Sequence, residues 1–198
     1  MIKVLKQSVE LLPSISEKGM LVSLGEILGV PYNKGVFDID KTKAICKTCV
    51  KRGHESVLEH LNITIGCITT IGTYKCYTRH RHCAFTIEST SFTDYSKELP
   101  VIFSNGAYCE NDIKLLEAIQ EWYAKHKRVK EARDFLPQCT AAKMIMTTNI
   151  RQWRYIMGLR SDPNDNPQVK ELRDLILEKL IEQHPFFFDE IPIKQEWK

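Results

Sequence analysis

Four consecutive residues, Arg79, His80, Arg81 and His82, concentrate positive charge and titratable nitrogen, and Ser89 follows after a mostly apolar interval, "CAFTIE". Further arginines stand at Arg133 and, close together, at Arg151, Arg154 and Arg160. Arginine presents a planar fork of donors suited to phosphates and flat heterocycles, and it stays charged when partly buried. Each charge-assisted hydrogen bond contributes roughly 1.5–3 kcal/mol, so two or three converging on one phosphate would hold a nucleotide firmly. Three destinations suit such a cluster: a nucleic-acid backbone, a phosphate pocket or a flavin. A lone arginine is more often a solvated surface charge. A cluster that directly follows an apolar strand reverses that weighting.

The elements that must position these groups are legible in the periodicity. "LNITIGCITTIG" puts Ile63, Ile65, Cys67, Thr69 and Ile71 on one face at period two, which predicts a strand. "MIKVLKQS" also reads as a strand, and "TYKCYTRHRH" as a short helix carrying the basic cluster. A helix is expected from about Asp40 to Arg52, with Asp40 as N-cap and Gly53 just beyond its end. Residues 112–136 predict one long helix with a stripe of Ile113, Leu116, Ile119, Trp122, Tyr123 and His126, stopped by Pro137. "KMIMTT" suits a strand, Asn149 caps a helix "IRQWRYIMGL", and Pro167 opens a last helix followed by a tail, "HPFFFDEIPI". Residues 11–37 assign only loosely. Helices and strands mix without a βαβ rhythm, so the expected class is α+β.

The bulk numbers bound the class of protein. At 198 residues the expectation is a single domain spanning 1–198, long enough to bury about 70% of its unfolded surface. Hydrophobic residues at 43% and charged residues at 27% are ordinary for a globular protein. A formal charge of +3 is too small to argue for nucleic acid as a partner. The start, "MIKVLKQSVELLP", has no apolar run of signal-peptide type, and no membrane-spanning stretch occurs, so a cytoplasmic protein is expected.

Seven cysteines without a secretory signal argue for reduced thiols. Cys46 and Cys49 form a C-x-x-C with no second pair to complete a zinc site, so no metal is assigned, with two thiols on a helix as the simpler reading. Cys139 in "LPQC" has no histidine after it and reads as a structural cysteine rather than a nucleophile. His60, His126 and His184 read as packing or surface residues, and His82 as a minor extension of the basic cluster.

Arg79-His80-Arg81, seven residues and Ser89 match R-H-R-x7-S, the signature of flavin-dependent thymidylate synthases. Supporting segments resemble other parts of that family in the right order over roughly residues 40–183. "GHESVLEH" at 53–60 is similar to G-H-E-x-x-x-E-H, "ARDFLP" at 132–137 to A-R-x-x-L-P, and "NIRQWRYIMGLRSD" at 149–162 to the N-x-R helix that ends in Leu-Arg. The resemblance implies a homotetramer with an unusual α+β fold and active sites where subunits meet. It implies reductive methylation of dUMP, with methylenetetrahydrofolate as carbon donor and NADPH-reduced FAD as hydride source.

Carried over residue by residue, the resemblance places FAD against His54, Ser56, Arg79, His80, Arg81, Asn149, Ile150, Arg151 and Tyr155. It places the nucleotide against Cys76, Arg79, Glu88, Ser89, Ser91, Arg133 and Arg160, with Ser89 and Arg133 on its phosphate. Arg160 matches the arginine credited with polarising the uracil N3–O4 edge, which makes it the catalytic candidate.

The chain also departs from the pattern. Ile87 and Ser91 stand where glutamate and arginine are usual, with Glu88 one position from the expected acid, and Phe92 stands where tyrosine is common. Tyr155 replaces asparagine or histidine, and Cys76 replaces a polar residue. These departures keep one alternative in view, a C5 methylase or hydroxymethylase of another pyrimidine nucleotide. A non-catalytic nucleic-acid-binding protein using "RHRH" and "KHKRVK" is the alternative of another class.

Overall fold

A computed structural model describes residues 1–126, 128–162 and 164–192. Its centre is a four-stranded antiparallel sheet in the order β2-β3-β6-β4, formed by β2 (Ser8–Leu11), β3 (Asn62–Thr70), β4 (Cys83–Ile87) and β6 (Ala141–Asn149). A separate parallel pair joins β1 (Ile2–Leu5) to β5 (Leu99–Ile102). "MIKVLKQS" is therefore not one strand: the chain changes sheet after Leu5. The α+β class is the one observed.

Register gives the sheet two distinct ends. Asn62 faces Asn149 at one end of the β3–β6 pair, and Thr70 faces Ala141 at the other. β4 runs from Cys83, opposite Thr148, to Ile87, opposite Met144. His82 and Ser89, which flank β4, therefore leave it at opposite ends.

The helices are α1 (Glu17–Gly29), α2 (Ile39–Lys51), α3 (Ile71–Tyr77), α4 (Glu110–Ala124), α5 (Val129–Ala132), α6 (Ile150–Leu159), α7 (Pro167–Gln183) and α8 (Pro185–Phe188). Period-two burial of Ile63, Ile65 and Cys67 on β3 and of Met144 and Met146 on β6 faces Trp153, Ile156 and Met157 of α6 and Leu172, Ile176 and Leu180 of α7 in one core. Full burial of a side chain of this size stabilises by roughly 1.5–3 kcal/mol. The indole of Trp153 satisfies its one donor on the Ile63 carbonyl at 3.1 Å. A second cluster, with Ile71, Tyr95, Leu99, Leu116 and Tyr123, lies between α4 and the β1–β5 pair.

Four further expectations need correction. The N-cap of α2 is Asp38, whose side chain accepts from the Lys41 amide, while Asp40 sits inside the first turn and complements the helix dipole. Gly53 does take the left-handed conformation just past the end of α2, at φ 75°. The basic cluster is not helical: α3 stops at Tyr77, and Arg79 to His82 form the turn into β4. The long helix ends at Ala124 and the chain resumes as α5 and a 3-10 turn over Arg133–Phe135. Past the helix end the His126 ring lies tilted against Trp122, with ring centres 3.5 Å apart.

The fourth correction concerns the C-terminus. "HPFFF" is no loose tail, because α8 buries Phe187 and Phe188 in the main core. The last residue of the expected tail, Ile193, lies outside the described residues. Arg173, 1% exposed, is a buried cation that the sequence pattern did not reveal. It donates to the carbonyls of Met157 and Pro192 and pairs with Asp174, satisfying the charge where it is buried. Among the described residues no helix is long and apolar enough to cross a membrane.

Candidate functional site

At the Asn149 end of the sheet, the side chain of Asn149 accepts from the Gln152 amide and so starts α6 immediately at the strand's end. This junction sets Arg151 and Tyr155 one turn apart on the exposed face of α6. With Glu55, Glu59, His82 and Gln152 they line an open cleft of about 440 Å³, within the usual range for small-molecule sites. Arg151 is paired with Glu59 and lies 3.9 Å from Glu55, so the cleft's one guanidinium faces two carboxylates. His82 enters this wall in the left-handed region, at φ 59°, a conformation rare for a residue with a Cβ. The buried Thr148 hydroxyl holds it there by donating to the His82 carbonyl at 2.7 Å.

Beside the cleft, Arg160 ends α6 and turns inward. Its Nε donates to His80 Nε2 at 3.1 Å, one terminal nitrogen meets Asp165 at 3.2 Å, and the other donates to the Cys76 carbonyl at 2.7 Å. That carbonyl is one of the last of α3, where a cation is favoured. The Tyr77 and Tyr155 rings meet His80 edge-on at 6.2 and 6.4 Å. Burial, and secondarily the Arg160 charge, push the His80 pKa down to about 4. His80 is thus a neutral imidazole at pH 7. Since Nε2 accepts from Arg160, Nδ1 carries the ring proton.

The remaining expected residues divide clearly. His54 and Ser56 are exposed in and beside the 3-10 turn Glu55–His60, next to the cleft wall. Arg79 and Arg81 are exposed on either side of His80. Ile150 has its side chain in the core and its amide on the Leu61 carbonyl, so neither is free for a ligand. Cys76 meets the site through its carbonyl, while its thiol contacts the Gly72 carbonyl one turn back. Cys46 is buried, with its thiol pushed up to about 11 by that burial, and burial also raises Cys139, so neither is an activated thiolate at neutral pH.

At the other end of β4, Ser89, Ser91 and Arg133 form a second group. The Ser89 hydroxyl accepts from the Ser91 amide at 3.3 Å, and Arg133 donates to the Ser91 hydroxyl. Phe92 beside them is 81% exposed, with the Lys130 ammonium 5.8 Å from its ring centre. Glu88 turns away from this group: it accepts from the Tyr95 hydroxyl at 3.3 Å and from the Lys143 amide at 3.1 Å. The five residues of β4 separate the two groups, a rise of roughly 13 Å along the strand. Among the described residues, no hydrogen bond or ion pair joins Ser89 or Arg133 to Arg160.

Sequence reasoning assigned no role to Glu55, Glu59 or Asp165, and gave His82 only a minor one. Each meets its partner across the fold or in an irregular loop, where no periodic signal marks it.

Comparison with known proteins finds a family and related structures. The family described as thymidylate synthase complementing protein matches residues 20–186. A probable flavin-dependent thymidylate synthase of Mycobacterium phage D29 is 29% identical over 161 residues, 71% of this chain and 68% of that protein. A flavin-dependent thymidylate synthase of Corynebacterium efficiens is 25% identical over 169 residues, 72% of this chain and 66% of that protein. The aligned stretch thus takes in about two thirds of these relatives' length. Among solved structures, the UMP/dUMP methylase PolB from Streptomyces cacaoi bound with 5-Br dUMP superposes with a TM-score of 0.75 at 18% identity, covering 94% of this chain and 95% of that one. Its complex with 5-Br UMP superposes with a TM-score of 0.73 at 16% identity, covering 95% of each chain. The match over residues 20–186 shows that this chain belongs to the thymidylate synthase complementing protein family.

Proposed function

We propose that this protein is a flavin-dependent thymidylate synthase that methylates dUMP at uracil C5. The observation that carries the reading is Arg160, a cation fixed by three partners beside a neutral histidine and an aromatic-walled cleft. A cation fixed in advance stabilises negative charge developing on the uracil O4 without reorganising during the reaction. The remaining donors of the same fork suit the N3–O4 edge of the ring.

The donor set of the cleft suits a flavin. Tyr155 offers an aromatic face and Asn149 and Gln152 offer amides, while neutral His80, behind Tyr155, adds no second buried charge. The carboxylates of Glu55 and Glu59 already offset Arg151, so the diphosphate of FAD falls to exposed Arg79 and Arg81, with His54 and Ser56 contributing from the adjoining turn. When bound, FAD supplies the two-electron redox chemistry, with NADPH as reductant and methylenetetrahydrofolate as carbon donor. The protein's residues orient the two ring systems and hold the charges.

The expected nucleotide residues fall into two groups with no hydrogen bond between them among the described residues, which supports a homotetramer whose sites form between copies. In this reading Ser89, Ser91 and Arg133 of one copy grip the phosphate of a nucleotide held by Arg160 of another. Mixing an Arg133→Ala protein with an Arg160→Lys protein tests it, because hybrid assemblies then contain some sites with both arginines intact. Recovered turnover in the mixture is expected, and none after subunit exchange refutes the shared site. The cytoplasm suits such an enzyme of nucleotide synthesis.

A second reading keeps the chemistry and changes the nucleotide. Ser91 stands on Arg133 where the family commonly has a further arginine, and PolB, of the same fold, is named for both UMP and dUMP. The first experiment covers both readings: the visible spectrum of the purified protein, then anaerobic NADPH with dUMP or UMP. Flavin bands bleached by NADPH, with turnover favouring dUMP, are expected. A colourless protein that takes up no FAD refutes the flavin reading, and equal turnover of UMP moves the assignment to the broader methylase.

A further inference from the structure

We propose that Asp165 is a positioning residue for Arg160, holding the guanidinium so that Nε faces His80 Nε2 and the imidazole keeps its proton on Nδ1. The consequence for turnover rests on the catalytic reading of Arg160 given above. The geometric consequence for His80 does not.

Arg160 is the C-cap of α6, where the regular backbone ends and a long side chain has several rotamers open to it. Three partners on three elements select one of them. The Cys76 carbonyl belongs to α3, His80 to the turn before β4, and Asp165 to the loop before α7. Asp165 is the one charged partner among these three, in an ion pair whose side chains are only 16% and 20% exposed. Partial burial strengthens such a pair relative to a surface salt bridge.

Asp165 is itself fixed. Its second carboxylate oxygen accepts from the Asn166 amide at 2.9 Å, and its own amide donates to the Asp162 carbonyl at 3.1 Å. Asn166 in turn caps α7 by accepting from the Gln168 amide at 2.9 Å. The carboxylate thus takes its place from the start of a 17-residue helix packed in the core. Tyr77, which meets His80 edge-on, is tied to the same helix through its hydroxyl on the Val169 carbonyl at 3.3 Å. α7 therefore sets both the guanidinium and one wall of the histidine pocket. If the loop only needed closing, the Asn166 contact would suffice. The other oxygen is spent on a guanidinium that reaches a site histidine.

The test compares Asp165→Asn and Asp165→Glu in the full-length protein, with nitrogen NMR of the His80 ring and steady-state kinetics with dUMP. The wild type is expected to show Nδ1–H. Asp165→Asn keeps the shape but loses the charge, and its His80 is expected to shift toward Nε2–H, with kcat lowered about tenfold or more and KM changed less than about threefold, the size of one charge-assisted hydrogen bond. Asp165→Glu should restore Nδ1–H and most of kcat. Wild-type tautomer and kcat in Asp165→Asn overturn the proposal, as does a wild type that already carries Nε2–H. If Asp165→Asn fails to fold, Asp165→Ser takes its place and is read the same way: a shift toward Nε2–H supports the role, and the wild-type tautomer refutes it. A wild type that does not turn over dUMP would count against the proposed function alone, since the ring tautomer still reports on Asp165.

Discussion

Where α6 ends, Arg160 meets a carboxylate, a carbonyl and an imidazole, and Tyr77 and Tyr155 frame the same histidine. At the Ser89 end, Arg133 is exposed, touching the Ser91 hydroxyl and lying 3.7 Å from Asp134. Both are arginines expected to meet the same nucleotide. The first is held by its own chain before any ligand arrives, which suits a charge that must act in a transition state. The second is left to be ordered by a phosphate or by another copy, and its exposed setting costs little to leave that way.

The largest effect should come from breaking the built end. Arg160→Lys keeps the charge and loses the planar fork, and kcat/KM for dUMP is expected to fall ~10²- to 10³-fold, as when a preorganised donor is removed. Steady-state kinetics read this directly, and a change under threefold would remove Arg160 from the chemistry. Next comes the open end. Arg133→Ala should raise the dUMP KM roughly 10- to 100-fold, the value of one or two charge-assisted contacts, while leaving Tm unchanged because the side chain is exposed. An unchanged KM would sever that end from the nucleotide.

A smaller effect is written in pH. The His80 pKa falls from 6.5 to about 4 on folding, and burial lowers His184 as well. Between these pH values the unfolded chain binds more protons than the folded one, so this stability is present above pH 6.5 and is lost as pH falls toward 4. Urea unfolding across that range should show the decline, and His80→Gln should flatten part of it. A slope unaffected by that change would mean that His80 is not held neutral. The smallest effect belongs to the backbone of His82. Thr148→Val removes the hydroxyl that holds the His82 carbonyl, and about 1 kcal/mol of lost stability, or 2–4 °C in Tm, is expected by calorimetry.

Much of this was legible in the sequence, and the reasons differ by element. The β3 alternation, the Asn149 cap and the Pro167 start are local signals, carried by side-chain period and by which residues satisfy the first turn of a helix. The Arg79–Ser89 motif is likewise read from order alone. The break after Ala124 leaves no mark in the sequence, because the apolar stripe runs on to His126 past the end of the helix. Asp38 was passed over for Asp40 because both are acidic near a helix start, and only the geometry shows which oxygen reaches the Lys41 amide.

The sequence by itself determined the class of fold, the β3 strand, the starts of α6 and α7, and the motif that points to a flavin and a nucleotide. Those features rest on interactions between residues a few positions apart. Only the tertiary structure decided that Arg160 reaches His80 and Asp165, that Glu55 and Glu59 face Arg151, and that Arg133 meets Ser91 beyond the end of β4. Such pairings join residues distant in sequence, and they are fixed by strand register and helix packing, which leave no periodic trace at the residues that finally meet.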